Sequence, residues 1–114
     1  ENSIFLVAVD NNRVIGILTS EGGRYKANKH VTTLGMSIHK DYRNSGIGHK
    51  LLSFAIDWAR QTNIIKRIEL FVYERNISAI HLYKKLDFKK EGKRINAFFH
   101  NGRFENDYIM GLSL

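Results

Sequence analysis

LGMSIHKDYRNSGIGHKLLSFAIDWA, residues 34–59, is the stretch around which the chain is organised. Leu34, Met36 and Ile38 alternate with Gly35, Ser37 and His39, the period-two pattern of a strand with one buried face. Lys40, Asp41 and Tyr42 break the alternation, and Arg43-Asn44-Ser45-Gly46-Ile47-Gly48 is small and flexible. Ile47, Leu51, Leu52, Ala55, Ile56 and Ala59 then recur at helical spacing. The pattern predicts a strand, a glycine-bearing loop, and the first turn of an amphipathic helix entered directly from that loop.

Such a junction suits an anion. The first amide groups of a helix have no intrahelical acceptor and carry the positive end of its dipole, while glycine lets backbone approach a ligand closely. Together they make a phosphate site, with Arg43, His49 and Lys50 adding donors at its rim. It is not a P-loop, because Gly48 is followed by His49, Lys50 and Leu51 rather than by Lys and Ser or Thr. It is not a dinucleotide fingerprint either, because Leu51 stands where a third glycine or alanine is needed. Arg43-x-x-Gly46-x-Gly48 resembles instead the [QR]-x-x-G-x-[GA] signature of the GNAT superfamily of acetyl-CoA-dependent N-acetyltransferases. In that family the loop cradles the coenzyme A pyrophosphate.

Composition sets outer bounds. At 114 residues the chain is long enough for one small domain, expected to span 1–114. It has no cysteine, which excludes disulfides and thiolate metal sites and favours a cytoplasmic home. No segment reaches the ~20 apolar residues that span a bilayer, and ENSIFLVAVDNN lacks the basic and apolar regions of a signal peptide. The net charge of +7 fits a polyanionic cofactor or nucleic acid as well as a solvated basic surface.

Phe5 to Val9 and Val14 to Leu18, joined by Asp10-Asn11-Asn12-Arg13, read as a β-hairpin. Glu21-Gly22-Gly23-Arg24 opens a polar loop that runs to Lys29 before Val31 begins the next strand. The helix ends at Thr62-Asn63, and Arg67 to Tyr73 alternates as a strand, parallel to its predecessor because a helical crossover joins them. A short helix follows Asn76, an apt N-cap, and a strand is expected from Phe88. Asn101-Gly102 then turns a hairpin between Arg94–His100 and Arg103–Met110. The expected fold is α/β, in the order β-β-β-α-β-α-β-β around a mixed sheet.

NISAIHLYKKLDF, residues 76–88, resembles a second signature of the same superfamily, an asparagine before a helix that ends in a leucine-tyrosine pair and Gly-Phe. It follows the first motif by one strand, so the resemblance covers essentially the whole chain. Asp87 replaces the usual glycine before Phe88, a substitution that a left-handed helix end tolerates. The chain begins at what resembles the family's second strand, so the opening strand and helix pair are expected to be missing from this stretch. An edge exposed in that way would favour pairing with a second copy.

The resemblance implies transfer of an acetyl group from acetyl-CoA to a primary amine. The cofactor pyrophosphate would sit on Arg43, Asn44, Ser45, Gly46, Ile47, Gly48 and His49. The pantetheine arm would pair as a pseudo-strand with the Met36–Ile38 edge, where a backbone N–H would also face the thioester carbonyl. By the same resemblance Tyr83 is the acid that protonates the leaving thiolate, and Asn76 contacts the pantetheine arm. Many relatives carry a glutamate near the position of Thr33; Thr32 and Thr33 stand there and neither is a base at neutral pH. Glu69, one strand over, is the substitute, with His30 and His39 behind it. The histidines lack metal-ligand spacing, so no metal is expected. The rival readings are a non-catalytic or truncated CoA-binding domain and a basic nucleic-acid-binding domain. The second is disfavoured because alternate residues of Phe98-Phe99-His100 and Phe104 should be buried in the hairpin.

Overall fold

A computed structural model describes residues 1–114. Six strands form one mixed sheet: β1 (Ile4–Asp10), β2 (Arg13–Gly22), β3 (Val31–Ile38), β4 (Arg67–Tyr73), β5 (Lys89–His100) and β6 (Arg103–Ser113). Their order across the sheet is β1-β2-β3-β4-β6-β5, and only β3 and β4 run parallel. The helices are α1 (Ile47–Gln61) and α2 (Ile77–Lys85), with one 3-10 turn at Lys40–Tyr42. This is the expected mixed α/β sheet.

Both helices pack on the same face. Leu51, Leu52, Ala55, Ile56 and Ala59 of α1 and Ile80 and Tyr83 of α2 meet Leu34, Ile68, Leu70, Val72, Met110 and Leu112 of the sheet in a single core. Ser20 and Thr32, also on this face, are buried and bond each other at 2.6 Å, which removes the cost of two unpaired hydroxyls. The α1 helix closes at Thr62, whose hydroxyl donates to the Ala59 carbonyl and accepts from the Ile64 and Ile65 amides. Beyond it Asn63 is left-handed, as is Asp87 after α2 (φ 74°), so the aspartate takes up the conformation that glycine usually supplies.

Three local expectations are corrected. Glu21 and Gly22 are not loop but the end of β2, paired with Thr33 and Thr32. Phe88 does not start a strand; it is buried at the helix–strand junction and β5 begins at Lys89. The distal β5–β6 hairpin does not bury alternate aromatics in the core. Phe99 and Phe104 are 64% and 67% exposed and pack edge-on with ring centroids 5.2 Å apart, while Phe98 stacks on Tyr73 at 4.0 Å. The reason is reach: β6 pairs with β4 only up to Asp107, and an irregularity between Arg94 and Phe98 carries the hairpin tip past the end of β4.

Candidate active site

The site is built where two parallel strands part. β3 pairs with β4 from Val31–Arg67 to Leu34–Leu70 and no further, although β3 continues to Ile38 and β4 to Tyr73. Each strand stays paired on its other side, β3 with β2 and β4 with β6, so the two diverge as a wedge. Backbone direction alternates along a strand. The His39 amide donates to the Ile15 carbonyl of β2, which turns Met36 and Ile38 toward the wedge. The Glu74 amide donates to the Asn106 carbonyl of β6, which likewise turns the backbone of Phe71 and Tyr73 into it. The wedge is therefore lined by peptide groups without a strand partner, the condition for pairing with an extended amide-bearing ligand. The sequence reading identified Met36 and Ile38; it missed Phe71 and Tyr73, which the expected parallel pairing would have exposed had it been followed past its last rung.

The anion loop closes one end of the wedge. Gly46 is the N-cap of α1 at φ 87°, a left-handed conformation that strains other residues, and its Cβ direction is open space. Asn44 is left-handed as well. The first backbone bond of α1 runs from the Lys50 amide to the Gly46 carbonyl at 3.1 Å, so the amides of Ile47, Gly48 and His49 ahead of it are unspent. No acidic residue occupies the first turn to compete for them. Ser45 donates to the Tyr42 carbonyl, and Arg43 Nε donates to the Ile38 carbonyl at 3.3 Å. Arg43 is thus tied to the strand end, and its terminal nitrogens make no hydrogen bond within the protein. The His49 ring lies 3.4 Å from the Ser53 hydroxyl.

Gly48 joins the two motifs. A Cβ on it would lie 3.3 Å from Leu82 and 3.4 Å from Met36, so its absence lets α1, α2 and β3 converge. Asn76 caps α2 by accepting from the Ala79 amide at 3.2 Å, which leaves its side-chain NH2 unspent. Tyr83 is buried to 7% exposure, with its ring 5.9 Å from that of Phe88, and burial raises its pKa above the ordinary tyrosine value. No buried side-chain polar atom is left unpaired, and the Tyr83 hydroxyl has no protein partner, so the hydroxyl itself reaches solvent. A buried ring with an accessible, protonated hydroxyl is the form a proton donor needs.

Glu69 lies on the opposite face of the sheet from α1 and α2, one rung before the wedge opens, directly beside Thr33. One carboxylate oxygen accepts from Arg67 at 3.2 and 3.3 Å and the other from the Thr33 hydroxyl at 3.4 Å. Arg67 also forms a two-bond pair with Glu91 at 2.6 and 2.8 Å. Of the other base candidates, His30 accepts at its carbonyl from the Lys66 and Arg67 amides, and the His39 ring accepts from the Asp41 amide. No group of three or more His, Asp or Glu side chains is placed to hold a metal ion.

Comparison with known proteins places these features in context. The family described as "Acetyltransferase (GNAT) family" matches residues 1–88. The L-amino acid N-acetyltransferase AaaT of Escherichia coli (strain K12) is 30% identical over 105 residues, covering 92% of this chain and 65% of that protein. The spermidine N(1)-acetyltransferase of the same strain is 32% identical over 69 residues, covering 60% of this chain and 37% of that protein. A crystal structure of an acetyltransferase of GNAT family from Streptococcus pneumoniae superposes at a TM-score of 0.94 with 37% identity, over 99% of this chain and 68% of that one. The chain thus spans about two thirds or less of the length of these curated relatives.

Proposed function

The chain belongs to the acetyltransferase (GNAT) family, and from that premise we propose that residues 1–114 form an N-acetyltransferase domain. It moves the acetyl group of acetyl-CoA to a primary amine of a small molecule or peptide, by direct attack on the thioester. The observation that carries the reading is the wedge between β3 and β4, which runs from unpaired strand backbone to the unspent amides of α1. The pyrophosphate is held by the loop from Arg43 to His49, and the pantetheine amides pair with Met36 and Ile38. No helix is long and apolar enough to cross a membrane, and the absence of cysteine supports a cytoplasmic setting. Assembly as a homodimer is part of the same proposal.

The chemistry follows from position. The amine nitrogen attacks the thioester carbon, and a backbone N–H of β3 meets the oxygen as it gains charge. The carbon–sulfur bond then breaks and the sulfur takes the Tyr83 proton, which solvent replaces. The proton lost by the amine passes to Glu69 through water. The Arg67 and Thr33 contacts keep that carboxylate at the wedge; they also favour the second reading, a domain that binds coenzyme A without turnover.

Calorimetric titration of acetyl-CoA into the chain, repeated with Gly46→Trp, tests the loop. Saturable binding that the variant loses is expected; equal binding by both proteins sinks the pyrophosphate assignment. Thiol release with an amine present then separates the enzyme from the silent binder, and Glu69→Gln is expected to slow it about 10²-fold or more.

A further inference from the structure

Resting on that reading, the face of the sheet turned away from the helices narrows the acceptor. Its ionisable side chains are sorted along β4. At the start of the strand, Glu69 and Glu91 share the single guanidinium of Arg67, and Glu21 lies across β3 in the same row. At the other end, Asp107 and Glu105 face three guanidiniums: Arg94 on Asp107, and Arg75 and Arg103 on Glu105. Lys89 ends that row beyond Gly111, so three carboxylates stand against two cations beside the closed part of the sheet and three guanidiniums against two carboxylates beside the mouth of the wedge.

Arg94 is the best placed of these cations. Asp107 is almost fully buried and grips it by two bonds, Nε to Oδ1 at 2.8 Å and Nη2 to Oδ2 at 2.6 Å. Its guanidinium lies 4.0 Å over the Phe71 ring, level with the first unpaired rung of the wedge. The side chain is half exposed, and the outer nitrogen Nη1 is unspent. A guanidinium fixed in this way has little conformational freedom left to lose when it binds an anion. Beside it Phe71 and Tyr73 are 41% and 48% exposed, and Tyr73 is stacked on Phe98. Across the wedge Gly35 offers no side chain; a Cβ there would meet only the Thr19 hydroxyl, at 3.3 Å.

We propose that this face takes an amine that carries a carboxylate and an apolar or aromatic body. The carboxylate rests on Arg94, the body lies on Phe71 and Tyr73, and the amine points into the wedge toward Glu69. A polyamine, with cationic groups along its whole length, would put positive charge against the positive end. The shared chemistry has two sources, a free amino acid and the end of a short peptide.

The test measures thiol release and direct binding (by saturation-transfer NMR) with L-phenylalanine, phenylalanyl-glycine, 2-phenylethylamine and spermidine, at saturating acetyl-CoA. Either carboxylate-bearing probe should exceed 2-phenylethylamine by roughly tenfold to a hundredfold, the span of a hydrogen bond to a charged group; which of the two leads tells the sources apart. Arg94→Lys keeps a charge for buried Asp107 but loses the outer nitrogen and should erase most of that preference. The neutral pair Arg94→Met with Asp107→Asn should do the same, with acetyl-CoA binding unchanged in both. Preference for spermidine or 2-phenylethylamine overturns the proposal, as does a preference that survives both variants. Carboxylate-dependent binding without turnover would uphold the acceptor site and sink the enzyme; turnover without the preference would do the reverse, and neither binding nor turnover would sink both.

Discussion

The two faces of the sheet share the same strands yet hold opposite chemistry. On the helix side, Leu34, Ile68, Leu70, Val72, Met110 and Leu112 are buried under α1 and α2. On the other, the intervening residues include Thr33, Gly35, Glu69, Phe71 and Tyr73, with ion pairs and half-exposed rings. Period-two alternation makes this possible, since one residue along a strand changes faces. One face bears the stability and the other is the one proposed to meet the acceptor, and the wedge between β3 and β4 lies between them. Tyr83 is the exception that joins the two roles, with a ring in the core and a hydroxyl at the surface.

The sharpest way to break the comparison is at that exception. Tyr83→Phe keeps the ring and removes the proton; kcat is expected to fall about 10²–10⁴-fold with little change in the urea midpoint. A change in stability without a change in rate would return Tyr83 wholly to the core. Because burial raises its pKa above the ordinary tyrosine value of about 10, Tyr83 keeps its proton to higher pH than a solvated tyrosine. The alkaline limb of kcat should therefore lie above that value and vanish in Tyr83→Phe.

The helix side is expected to answer in stability alone. Leu52 is fully buried, and Leu52→Ala should cost about 2–5 kcal/mol in a denaturant titration. Phe71→Leu, on the open face, should cost about 1 kcal/mol or less while raising the acceptor KM. If Phe71→Leu proved the more destabilising, the division of labour would fail. The smallest effect belongs to Asn76→Ala, which removes the α2 cap for about 1 kcal/mol. Should its acetyl-CoA affinity also drop beyond what that loss explains, the unspent amide of Asn76 touches the cofactor.

Much of this was legible in the residues. The apolar positions read as the inner face of α1 are those the sheet covers, with Ile47 partly buried at the edge of the core. Asn76 caps as its type predicts, Asp87 turns left-handed as a helix end requires, and Asn101-Gly102 makes its hairpin. These are outcomes of contacts within a few positions, which local pattern encodes. The exposed tip at Phe99 and Phe104 was not legible, because alternation marks the two sides of a strand but not whether anything lies beneath them. Nor was the engagement of Glu69, which accepts from Arg67 on its own strand and from Thr33 on β3, while Arg67 is shared with Glu91 of β5.

The sequence by itself determined the elements, the two faces of each strand and the amide-rich loop that opens α1. Periodicity and glycine placement act through neighbours along the chain, so they survive without knowledge of the whole. Only the tertiary structure decided that β6 inserts between β4 and β5, and that β3 and β4 part after Leu34 and Leu70. Each strand is held on its far side by a different partner, and the twist of those two pairings pulls them apart. That divergence depends on residues far apart in sequence, and it is what turns a strand, a loop and a helix into a site.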